Sequence, residues 1–161
     1  MVRSKDIILK IGQEYGALTG REYGFLESYR MEDAEYALVV LSSTAGTAKY
    51  VIDQLRQEGE KCGLVKIRVF RPFPGSELRA TLSQLSAIGI MDRAESYSSQ
   101  GGPVFAETKA ALYHGTHQPR CSNYIYGLGG RDIGPDLIRK ALFEVRDLAT
   151  TGSQDGAIRY L

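Results

Sequence analysis

Tyr36-Ala37-Leu38-Val39-Val40-Leu41, then Ser42-Ser43-Thr44-Ala45-Gly46-Thr47, then Ala48, Val51, Ile52 and Leu55, is the stretch on which the reading of the fold turns. The first six residues form a short apolar run rich in β-branched and aliphatic side chains, the signature of a strand buried on both faces. The last four recur at helical spacing and end at Gly59, where a left-handed residue is wanted to close a helix. Together they make a strand-turn-helix unit.

The same unit repeats outward from there. A second strand runs from Leu64 to Phe70 and is closed by Arg71-Pro72-Phe73-Pro74, because prolines cannot continue a central strand. Leu78, Leu82 and Leu85 mark a short helix, and Ala87-Ile88-Gly89-Ile90-Met91 a third strand. After a polar loop from Arg93 to Gly102, Val104, Thr108 and Ala111 mark a third helix. Asn123-Tyr124-Ile125-Tyr126 gives a fourth strand, and Leu137, Ile138, Ala141, Leu142 and Val145 a last helix with Pro135 in its first turn. Strands alternating with helices predict an α/β fold with a largely parallel sheet. Residues 1–34 stand outside the alternation. They mix Gly12, Gly16, Gly20 and Gly24 with Tyr15, Tyr23, Phe25 and Tyr29, which predicts neither a good helix nor a flexible linker but an arm that packs.

Composition bounds the function. The 161 residues fit one ordinary domain, and 43% hydrophobic against 24% charged residues is the balance of a globular chain. Twenty Lys and Arg against 19 Asp and Glu leave a net charge of +1 with no basic stripe, so nucleic acid is not an expected partner. No apolar run approaches the ~20 residues of a membrane span, and the first residues lack the apolar core of a signal peptide. A cytoplasmic setting away from membranes is expected. Cys62 and Cys121 are far apart and read as structural thiols rather than as metal or cluster ligands.

Three constellations invite a sharper reading. Gly127-Leu128-Gly129-Gly130-Arg131-Asp132 sits between a strand and a helix as a dinucleotide fingerprint would, yet Asp132 places a carboxylate where a pyrophosphate belongs. A backbone turn explains the glycines. Ser42 to Thr47 could cradle an anion at a helix N-terminus, but Ser43 or Thr44 as a helix cap accounts for the hydroxyls. His114 and His117 lack a third ligand and read as a surface loop. A thiamine-type Gly-Asp-Gly is absent, the nearest string being Gln154-Asp155-Gly156. No catalytic, cofactor-binding or metal residue is assigned.

Tyr15-Gly-Ala-Leu-Thr-Gly-Arg-Glu-Tyr23, Arg71-Pro-Phe-Pro74, Met91-Asp-Arg93, Gly101-Gly-Pro-Val-Phe105 and Tyr126-Gly-Leu-Gly-Gly-Arg-Asp-Ile133 follow one another in this order. The set resembles the C-terminal part of the alpha subunit of pyruvate:ferredoxin oxidoreductase and related 2-oxoacid:ferredoxin oxidoreductases. The resemblance spans roughly residues 13–161. It implies a transketolase C-terminal-like domain over residues 35–161: a three-layer α/β/α sandwich on a mostly parallel five-stranded sheet, the fifth strand supplied by the tail or the arm. Residues 1–34 would be the arm or linker following a pyrimidine-binding domain absent from this sequence.

Such complexes decarboxylate a 2-oxoacid to acyl-CoA and reduce ferredoxin, using thiamine diphosphate, Mg²⁺, iron–sulfur clusters and CoA. The resemblance places those cofactors in other parts of the complex. This chain is then expected to be a structural or assembly domain, inactive alone, with beta and gamma or delta subunits as partners, ferredoxin reached through the complex, and a homo-oligomer among the expected states. Arg71 ends one strand and Arg131-Asp132 follow another, so in a parallel sheet all three emerge at the carboxyl edge, where open α/β sheets present their working surface. They are the candidate interface residues. The competing reading is a free-standing flavodoxin-like module that binds an anionic ligand through loops 42–47 and 127–132.

Overall fold

The computed structural model describes residues 2–21, 23–153 and 155–161. Glu22 of the Tyr15–Tyr23 motif and Gln154 of the Gln-Asp-Gly string lie outside the described residues. In chain order the elements are α1 (Val2–Thr19), β1 (Leu26–Tyr29), β2 (Tyr36–Leu41), α2 (Thr44–Gln57), β3 (Cys62–Ile67), α3 (Gly75–Leu82), β4 (Ala87–Asp92), α4 (Pro103–Leu112), β5 (Arg120–Ile125), α5 (Pro135–Thr151) and β6 (Ile158–Tyr160). A single 3₁₀ turn, Leu128–Gly130, follows β5.

The sheet has order β1-β3-β2-β4-β5-β6 and is parallel except for β1, which runs antiparallel to β3. It therefore has six strands, not five. Both proposed sources of the extra strand contribute: the segment before β2 supplies β1 on one edge and the tail supplies β6 on the other. The tail is anchored by Asp155, which accepts the Cys121 N–H at 2.8 Å, and by the Leu161 N–H, which reaches the Ile125 carbonyl at 2.9 Å.

Alternate side chains of the strands go to opposite faces. Leu38 and Val40 point into a layer with α2 and α5, and Ala37 and Val39 into a layer with α3 and α4. This is the three-layer sandwich, and it explains why β2 is a nearly unbroken apolar run. The second strand ends at Ile67 rather than Phe70, because the Arg68 and Val69 N–H groups both turn to the Phe25 carbonyl of the arm.

Residues 2–19 form a helix, contrary to the expectation from their glycines. Gly12 and Gly16, four apart, share one face, and a Cβ on Gly12 would lie 2.3 Å from the Tyr23 carbonyl oxygen. The close approach of helix to returning chain offsets the ~1 kcal/mol that each glycine costs a helix. Tyr15 and Tyr23 close this hairpin edge to face at 5.2 Å. No described helix is long and apolar enough to cross a membrane.

Both cysteines are buried. Burial pushes the Cys62 thiol up to about 11 and raises that of Cys121. Because the thiolate is the reactive form, neither thiol of the native chain is expected to react with Ellman's reagent at pH 8, and both should react in denaturant. Rapid labelling of either in the native state would contradict this burial.

Candidate interface at the carboxyl edge

The five parallel strands β3, β2, β4, β5 and β6 end on one edge of the sheet. The chain leaves β2 toward the α2–α5 layer and β4 toward the α3–α4 layer, so the crevice between these neighbours is the topological switch point where such sheets present ligand sites. Here the protein's own side chains fill it.

At its centre is Asp92, the last residue of β4 and only 2% exposed. Its Oδ1 accepts the Val104 N–H at 2.8 Å, and its Oδ2 accepts the Phe105 N–H at 3.1 Å and the Asn123 Nδ2 at 2.9 Å. The first N–H groups of a helix have no partner within it, and a carboxylate is well placed to take them. Asn123 also donates to the Ile90 carbonyl at 2.9 Å and accepts the Gly102 N–H at 2.8 Å. Burial pushes the Asp92 carboxyl up from its ordinary range, while the two backbone N–H groups and the Asn123 amide pull it back down.

The Gly-Gly-Pro motif belongs to the same cluster. Gly101 has φ +78°, and a Cβ on Gly102 would lie 2.1 Å from the Asp92 carboxyl carbon. Pro103 then starts α4. Two separate motifs, Met91-Asp-Arg93 and Gly101-Gly-Pro-Val-Phe105, are thus one hydrogen-bonded unit.

A second link crosses the edge. Thr44, at the start of α2, and Tyr126, just after β5, are both buried and share a hydrogen bond of 2.7 Å between their hydroxyls. Ser43 occupies the position before α2 with helical backbone and makes no side-chain cap, so capping does not account for the hydroxyls of this loop. The Thr44 hydroxyl is engaged by Tyr126 rather than turned to a ligand. Burial raises the Tyr126 phenol, opposed by the Thr44 hydrogen bond and by Arg93, whose guanidinium lies 5.8 Å from the ring centre.

The candidate residues fall along this edge as a band. Arg71 stacks on Phe70 at 4.2 Å and donates to Glu107 of α4 at 2.6 Å. Arg131 and Asp132 lie past β5 and are exposed. Two strands separate β3 from β5, which puts Arg71 about 14 Å from the Arg131-Asp132 corner at strand level. The structure therefore does not join Asp132 to Arg71, and among the described residues neither Arg131 nor Asp132 has an ion-pair partner. Arg131 lines a cleft of about 400 Å³ with Leu128, Tyr160 and Leu161. Gly127, Gly129 and Gly130 in this corner all have positive φ, so the glycines serve the turn itself. His117 bonds to the Leu85 carbonyl at 3.1 Å, and His114 packs edge to face on Tyr113. Sequence reasoning placed Thr44 in a loop of this edge but not its bond to Tyr126, and it singled out neither Asp92, Asn123 nor Tyr126 as members of the edge, although Asp92 and Tyr126 lie within the quoted motifs.

A doubly wound α/β domain with this edge is the class that the geometry defines. The family of pyruvate:ferredoxin oxidoreductase core domain II matches residues 34–138, and the chain belongs to that family. It is 45% identical over 141 residues to the pyruvate synthase subunit PorA of Thermotoga maritima, covering 88% of this chain and 36% of that one. It is 35% identical over 158 residues to the ketoisovalerate oxidoreductase subunit VorA of Pyrococcus horikoshii, covering 98% of this chain and 40% of the relative. The chain thus spans between a third and two fifths of the length of these curated relatives. In fold it resembles the 2-oxoglutarate:ferredoxin oxidoreductase of Magnetococcus marinus, with a TM-score of 0.55 at 15% identity over 82% of this chain and 21% of that one.

Asp92→Ala should leave two helix N–H groups and the Asn123 amide without their acceptor and cost about 2–4 kcal/mol in urea unfolding. Thr44→Val, which removes one hydroxyl pair, should cost about 1 kcal/mol. Equal costs for the two would contradict the central place given to Asp92.

Proposed function

We propose that this chain is a non-catalytic assembly domain of an alpha-type subunit in a 2-oxoacid:ferredoxin oxidoreductase, with pyruvate as the substrate of the whole enzyme. The observation that carries this reading is the use of the switch-point residues for internal structure in a member of this family: Asp92, Asn123, Thr44 and Tyr126 bond to one another or to backbone. Relatives named for pyruvate and for ketoisovalerate share the domain, which fits a part that does not choose the substrate. Residues 35–161 form the domain in this reading, and residues 1–34 an arm after a pyrimidine-binding domain.

The residues present do not fit an iron–sulfur cluster. Two buried cysteines cannot supply the four thiolates of a cluster, and the described residues gather no group of three or more metal-ligating side chains. In this reading thiamine diphosphate, Mg²⁺, clusters and CoA are held by the rest of the complex. The partners are its beta and gamma or delta subunits, with ferredoxin reached through them. Arg71, Arg131 and Asp132 are the contacts of the carboxyl edge, Arg131 and Asp132 being the uncommitted charges. Two unpaired cysteines accord with a cytoplasmic setting.

The purified chain, given pyruvate, thiamine diphosphate, Mg²⁺, CoA and a viologen, should reduce no viologen above a protein-free control; reduction would overturn the non-catalytic reading. In Thermotoga maritima pyruvate synthase with this chain replacing the matching third of PorA, Arg131→Ala should lower the assembled fraction in size-exclusion chromatography several-fold. Full assembly with activity lost would move Arg131 from contact to chemistry. Neither changed would make it a dispensable surface charge.

A further inference from the structure

Helix α1 is held to the body of the chain by one face and leaves another largely exposed, with Tyr15 at its inner margin packed on Tyr23. At about 100° per residue, Lys5, Ile8, Gly12 and Gly16 share a side. There Gly12 and Gly16 abut the backbone of Tyr23 and Arg21, and Lys5 reaches Glu77 at 3.4 Å. Ile7, Ile11, Tyr15 and Leu18 fall together about 110° further round, and they are 56%, 58%, 49% and 86% exposed. Elsewhere among the described residues the exposed large apolar side chains are scattered. Single ones are ordinary, whereas four aligned along three turns form an interaction face.

The charges beside this stripe say what covers it. Lys10 and Glu14 lie on its outer flank, 3.8 Å apart and 77% and 63% exposed, placed symmetrically about residue 12. When two helices pack antiparallel about a twofold axis, the same flank of each meets the other. Lys10 of each then faces Glu14 of the other, Ile7 at one end meets Leu18 at the opposite end, and the two Ile11 side chains lie near the axis. A parallel pair would instead set this flank of each helix against the opposite flank of the other, so the two Lys10–Glu14 contacts would be lost. The glycine face points about 110° away from the contact, which leaves room for both bodies.

We propose that α1 is a self-complementary docking helix, occupied by α1 of a second copy of this chain in an antiparallel pair. This pairing stands on the helix alone and does not depend on the oxidoreductase reading. A three-turn contact is smaller than the ~800 Å² per partner of a standard interface, so half-dimerisation falls in roughly the 10–100 µM range.

Sedimentation equilibrium of the 161-residue chain from ~5 to ~500 µM tests it. The apparent mass should rise from one chain to two and stop there. Ile11→Glu should lower the association constant about tenfold or more with the far-ultraviolet circular dichroism unchanged. Lys10→Glu and Glu14→Lys should each weaken association several-fold, and an equimolar mixture of the two variants should restore it, because unlike chains again join opposite charges at both contacts. A wild-type chain that stays monomeric throughout overturns the proposal. So does association that survives Ile11→Glu, or a mixture no stronger than either variant by itself.

Discussion

The Asp92 carboxylate, 2% exposed at the end of the central strand β4, holds both the start of α4 and, through Asn123, the neighbouring strand β5. A buried carboxylate is costly unless its oxygens are met by donors. Here two backbone N–H groups at a helix start and one side-chain amide meet them. The constraint propagates to the sequence: residue 102 must lack a side chain, residue 101 must accept a positive φ, and Pro103 supplies a helix start that needs no N–H of its own. Three consecutive positions, 101 to 103, answer to one charge.

With the carboxylate in place, the crevice between β2 and β4 is taken up by internal hydrogen bonds, and the clefts of the carboxyl edge lie to either side of it, beside Leu41 and Ile67 and beside Arg131. Thr44 and Tyr126 tie α2 to the end of β5, and Arg93 lies over the tyrosine ring. The crevice where a doubly wound sheet would hold a ligand is filled. What remains outward are charged side chains at its two ends, Arg71 paired to Glu107 on one side and Arg131 with Asp132 on the other. Under the proposed assembly role these are the side chains left to meet other protein.

Much of the centre of the fold was legible because its signals are local. The run Tyr36–Leu41 can only be a strand buried on both faces, and Gly134-Pro135 before a periodic stretch announces the start of α5. The edges were less legible. β1 and β6, of four and three residues, are too short to show a period, and each exists because a neighbouring strand offers it a partner. Helix α1 was misread because its glycines argue against a helix in isolation, whereas they are what allows it to press on Tyr23. For the edge itself, Arg71, Arg131 and Asp132 could be placed from strand polarity. The bonds from Thr44 to Tyr126, 82 residues apart, and from Asn123 to Asp92, 31 apart, depend on strand order, which no local pattern reveals.

Amide hydrogen exchange of Gly102, Val104 and Phe105 in the native chain reads the Asp92–Asn123 cluster most directly. First-turn amides of an ordinary surface helix lack a partner and exchange fast. If the cluster organises the carboxyl edge, these three should be protected nearly as strongly as the amides of the central strand β4. Exchange at the rate of an open helix end would contradict that account.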